Sequence, residues 1–119
     1  MDEFPGDPVL VRFVGSAIKR FTCASSMISF GVTGVGYINV TWRFTLIHPS
    51  GRRSVVQPPP GRGCGQLTRV LERTIVSIRA SDDRRAIRVG LEGDYALHLE
   101  SRSGCESCSI QVDDQKYIV

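Results

Sequence analysis

Hydrophobic positions recur along this chain at two spacings, one helical and one of two residues. Near the start, Leu10, Phe13 and Val14 follow helical spacing behind Asp7-Pro8, and Gly15 stops the run. Asp as N-cap with Pro at the first helical position predicts a short helix there. Leu67, Val70 and Leu71 repeat the spacing inside Gln66–Arg73. Neither helix is long enough to be stable alone, so each must dock on a sheet.

Most of the remainder alternates. Ile38, Val40, Trp42, Phe44 and Leu46 interleave with Asn39, Thr41, Arg43 and Thr45, which predicts one strand with a dry face and a wet face. His48-Pro49-Ser50-Gly51 reads as a turn and Ser54-Val55-Val56 as a short return strand. Thr74–Ala80 and Arg85–Leu91 are strands joined by a turn at Ser81-Asp82-Asp83. Glu92-Gly93-Asp94 is a hairpin into Tyr95, Leu97 and Leu99, and a last strand carries Cys108, Ile110 and Val112.

The pattern also repeats. With Leu10 laid on Leu67, Phe13, Val14, Ile18, Phe21, Phe30 and Val32 fall on Val70, Leu71, Ile75, Ile78, Ile87 and Val89. A supersecondary unit used twice is the expectation, with halves 8–57 and 66–119 joined by the Pro/Gly-rich linker 58–65. Each half alone would be marginal, so both share one core in a single domain spanning 1–119. The predicted fold is α+β and mostly β: two repeated units of a short helix turn plus antiparallel strands, packed as a sandwich or half-open barrel. Its core gathers Trp42, Phe44, Ile87, Val89, Tyr95 and Leu97.

Several segments carry a resemblance as well. The Gly-terminated helix turn Val14-Gly15-Ser16-Ala17-Ile18 and the hairpin Leu91-Glu92-Gly93-Asp94-Tyr95-Ala96-Leu97 resemble small bacterial β-rich proteins of unknown function built from two similar halves. In such families the final strand often opens with an aromatic, Glu, a small residue and Trp; here Cys105-Glu106-Ser107-Cys108 stands there, with Cys in both aromatic places. Some look-alikes are immunity proteins that block a toxin domain. The resemblance implies protein binding and carries over no catalytic residue.

Composition narrows the picture little. Hydrophobic content of 41% and charged content of 23% are ordinary for a soluble globular protein. The acidic, proline-broken start lacks a basic n-region and an apolar h-region, which points to the cytoplasm and leaves the Asn39-Val40-Thr41 sequon inert. No apolar run approaches the ~18 residues of a membrane span. The net charge is +3, and Arg supplies nearly all of the 15 basic residues; Arg suits bidentate contacts to carboxylate or phosphate.

Candidate chemistry is sparse. Cys105-x-x-Cys108 invites a zinc or redox reading, but a structural zinc site needs four ligands, and Cys23, Cys64, His48 and His98 each stand alone. A reducing compartment argues against a disulfide framework, so the four cysteines at 23, 64, 105 and 108 read as packing residues, with no metal and no cofactor. Cys64, in Gly61-Arg62-Gly63-Cys64-Gly65 ahead of a helix, would carry a lowered pKa beside Arg, yet no base is near it in sequence. His48 and His98 read as surface residues. Asp82-Asp83, Glu92 with Asp94, and Asp113-Asp114 belong to turns.

Arg43, Arg79 and Arg88 share outward parity on strands, while Arg52 and Arg53 lie at a strand start. With Glu106, whose parity turns it inward on the last strand, they form the candidate binding set. The function expected is a non-enzymatic protein-binding module, in its specific form an immunity-type inhibitor of a toxin domain. Pairing of strand edges into a homodimer is compatible with it. One alternative is a nucleic-acid-associated protein using the Arg-rich face, disfavoured because the aromatics take the apolar parity. A second is a small-ligand-binding protein or Cys-dependent enzyme.

Overall fold

The computed structural model describes residues 4–24, 27–57, 61–101, 108–112 and 115–118, with backbone alone at 61–64. The chain is mostly β. It opens with the short helix α1 (Asp7–Leu10) and a 3₁₀ turn (Val11–Phe13), then runs through β1 (Ile18–Cys23), β2 (Ile28–Val32), β3 (Gly36–Val40), β4 (Phe44–Ile47) and β5 (Arg53–Val56). A 3₁₀ helix (Gly61–Val70) leads into β6 (Ile75–Ala80), β7 (Ala86–Leu91), β8 (Tyr95–Glu100), β9 (Cys108–Val112) and β10 (Gln115–Ile118). No helix of the described residues is long and apolar enough to cross a membrane.

Two five-stranded antiparallel sheets pack face to face, in the orders β1-β2-β3-β9-β10 and β5-β4-β8-β7-β6. Strand alternation explains the layering. Ile28, Phe30, Ile38, Val40 and Ile110 turn inward from the first sheet, and Phe44, Leu46, Ile87, Val89 and Leu97 from the second. Phe30 and Phe44 meet edge-to-face across the layers, with ring centroids 5.8 Å apart. Leu10, Phe13, Leu67 and Val70 bring the helical segments onto the same core.

Each sheet borrows a hairpin. β4–β5 extends the second sheet from β8, and β9–β10 extends the first from β3. The two meanders also touch directly. Ala17 bridges Thr74, the Gly15 and Glu72 amides donate to the Ile75 and Ile18 carbonyls, and the Ile75 and Ile18 amides donate to the Ser16 and Arg73 carbonyls. Each of these bonds has a counterpart displaced by the spacing that lays Leu10 on Leu67. Gly15 and Glu72 both take positive φ, at 91° and 67°. Both leading strands are bulged at matching places, Ile18/Arg20 and Ile75/Ser77.

Several expectations need correction. The alternation over Ile38–Leu46 is two strands in different sheets, because the chain crosses the sandwich at Thr41–Arg43. Gly6 caps α1, and Asp7 is already helical. The second helical segment begins at Gly61, inside the expected linker. β10 adds a strand beyond the expected last one. Tyr95 is half-buried and packs against the core, whereas Trp42 is half-buried outside it.

Candidate binding face

The second sheet's outer face gathers most of the arginines singled out by sequence. One row of side chains crosses it as Val55, Thr45, His98, Arg88 and Arg79, each facing the next across a strand pair. Arg53 opens β5, and with Arg79, Arg88 and His98 it borders a groove of about 340 Å³. Arg43 lies just before β4 with its guanidinium 5.5 Å from the Trp42 ring centre. It borders an adjoining groove of about 220 Å³ with Thr45, Val55, His98 and Glu100. His98 belongs to both grooves, and its Nε2 lies 3.1 Å from the Glu100 carboxylate.

Arg52 borders neither groove; its carbonyl accepts the His48 amide in the turn between β4 and β5. Glu106 and Cys105 lie outside the described residues, as does the Cys64 side chain.

The first sheet offers an internal comparison. The residue spacing lays Thr22 on Arg79, and the row that starts from Thr22 runs through Ser29, Asn39, Ser109 and Ile118. That row closes on itself: Ser29 Oγ donates to Asn39 Oδ1 at 2.6 Å, and Asn39 Nδ2 donates to Ser109 Oγ at 3.2 Å. It carries no charge. In the second sheet two guanidinium side chains stand directly opposite each other, an arrangement that destabilises a strand pair. Among the described residues, no carboxylate pairs with Arg53, Arg79 or Arg88.

Sequence reasoning missed His48. It is 6% exposed, not a surface residue. Its Nε2 lies 2.9 Å from Ser54 Oγ, and its ring meets Tyr95 edge-on with centroids 5.9 Å apart. Tyr95 in turn lies under the Arg73 guanidinium at 4.2 Å. Burial holds the His48 pKa below its ordinary value, with Arg52 and Arg69 acting in the same direction and a Gln66 hydrogen bond opposing them. The signal was present, since His48 shares the inward parity of Phe44 and Leu46.

The cysteines divide. Cys108 is buried and lies outside any disulfide. Cys23 is disulfide-bonded, against the expectation of packing thiols throughout. Among the described residues no three His, Cys, Asp or Glu side chains gather as a metal site. Asp82-Asp83 serves its turn, with Asp83 Oδ1 accepting from Ser81 Oγ at 2.6 Å and from the Arg85 amide at 3.0 Å. No protein-family model, curated protein or solved structure matches this chain.

Proposed function

We propose that this chain is a non-enzymatic protein-binding module that holds an acidic partner protein on the outer face of its second sheet. Arg79 and Arg88, which face each other with no carboxylate partner among the described residues, carry the reading, because the corresponding row of the first sheet is neutral and hydrogen-bonded to itself. Opposed like charges cost stability, so their presence in one sheet and not the other favours a use outside the fold. Guanidinium forks suit planar carboxylates, and among the described residues the face supplies no exposed ring on which a base could stack.

The specific form suggested by the resemblance is an immunity-type inhibitor, for which a paired antiparallel face offers preformed geometry. In the same reading the two halves are copies of one unit, each lending its final hairpin to the other's sheet. The matched amide bonds around Ala17 and Thr74 support this. The disulfide at Cys23 favours an oxidising compartment over the reducing one expected from sequence.

The test is affinity capture from native lysate with the wild-type chain and with an R79E/R88E variant, each with and without nuclease, read by mass spectrometry. One stoichiometric acidic protein, retained after nuclease and lost with the variant, is the expected result. Recovery of nuclease-sensitive ribonucleoproteins alone, or of the same protein by both chains, overturns the proposal.

A further inference from the structure

The two leading strands, β1 and β6, end their sheets in matched positions, yet their free edges are finished differently. At β1 the edge carries Lys19, whose Nζ lies 2.8 Å from Glu72 Oε2, and a charged edge of this kind discourages pairing with another strand. The places corresponding to Lys19 and Glu72 at the other edge hold Val76 and Gly15. Val76 is 56% exposed there, and Val11 and Val14 across from it are 57% and 40% exposed. These three valines border a groove of about 530 Å³ between the α1 segment and β6, with Asp7 and Asp82 also on its wall.

Backbone groups line the same groove. The Ser81 amide donates to the Ala86 carbonyl, in the register that pairs Arg79 with Arg88. In an antiparallel ladder consecutive residues turn their N–H and C=O groups to opposite sides. Ile78 and Ala80 therefore aim theirs at the open edge. Asp7 and Asp82 have no cationic partner among the described residues, apart from sharing the groove with Arg79.

We infer that β6 is a docking edge for an extended segment of a partner protein. The segment adds as a sixth strand, sets small apolar side chains against Val11, Val14 and Val76, and presents Lys or Arg to Asp7 and Asp82. Main-chain hydrogen bonds to Ile78 and Ala80 hold it, and the valines and carboxylates select it. This edge meets the arginine row at Arg79, and it selects basic segments where the face beyond Arg79 selects acidic surfaces.

The probe is a fluorescein-labelled octapeptide of alternating threonine and valine flanked by lysines, titrated against the full chain by fluorescence polarisation. Three comparisons accompany it: the same peptide flanked by glutamates, the lysine peptide N-methylated at alternate amides, and a Val76→Lys chain that copies the guard at Lys19. Saturable binding of the lysine peptide, weakened about tenfold or more in all three comparisons, is expected. An unchanged melting temperature for the variant keeps a loss of binding distinct from a loss of fold. Equal binding of the lysine and glutamate peptides, or indifference to N-methylation or to Val76→Lys, overturns the inference. So does sedimentation of the unliganded chain as a dimer that Val76→Lys dissociates, which would make a second copy the occupant.

Discussion

Arg88→Glu should stabilise the fold while removing partner binding. Arg88 stands between Arg79 on β6 and His98 on β8. Reversing its charge turns the repulsion with Arg79 into an attraction and gives His98 a second carboxylate neighbour. Exposed cross-strand charge pairs are worth about 0.2–1 kcal/mol each, so the expected gain is about 0.5–1 kcal/mol. For a chain of this size that corresponds to about 2–4 °C in Tm. Thermal unfolding at low salt reads the gain, with Arg88→Gln separating charge from strand propensity. A cycle with Arg79→Gln isolates the pair. In about 1 M salt, where the screening length falls to ~3 Å, the gain should vanish. A Tm that is unchanged or lowered at low salt, or a gain that survives high salt, refutes the argument that the row holds uncompensated charge.

Three further outcomes follow from the core and its edges. Gly36→Ala should destabilise by about 1–3 kcal/mol in a denaturant titration, because an added Cβ runs into the Gln111 carbonyl where β3 pairs with β9. His48 has a folded pKa below its unfolded value of about 6.5, so the unfolded chain binds its proton first. Stability should therefore fall as pH drops below about 6.5, and a His48→Gln chain should lose that slope in melts between about pH 7 and 5. Reduction, or Cys23→Ser, should lower stability by about 2–4 kcal/mol in chemical unfolding; equal curves with and without reductant would contradict it.

The strands were legible because both sheets face one core, so a period of two marks inward positions whichever sheet a strand joins. For the same reason the crossing at Thr41–Arg43 was not legible: Val40 and Phe44 keep the same parity on opposite layers. The spacing that lays Leu10 on Leu67 matches the bulges of β1 and β6, and shifts by two residues in the strands that pair with them. Phe21 pairs with Phe30 while Ile78 pairs with Val89, so Phe30 corresponds to Val89 instead of Ile87. A slip of two residues leaves every side chain on its own face, which is why the hydrophobic pattern alone does not detect it.

Of the candidate site, Arg79, Arg88 and Arg53 could be named from parity and position, because strand direction alone sends them outward. Their convergence on one groove depends on the order β5-β4-β8-β7-β6, which no local pattern carries. The disulfide at Cys23 likewise depends on which thiols the fold brings together, and sequence spacing is silent on that.

The borrowed hairpins bear on how this chain reaches its native state. Ile38 must find Ile110, and Leu46 must find Leu97, before either sheet is complete. Closing such separations early is entropically unfavourable, and folding rates fall as pairing becomes less local. During synthesis the first meander and the β4–β5 hairpin leave the ribosome well before the strands that will cover them. Native assembly is thus deferred until β8 and β9 have emerged. Until then β3 and β4 present unpaired apolar edges, and this interval is when the nascent chain most needs chaperone protection.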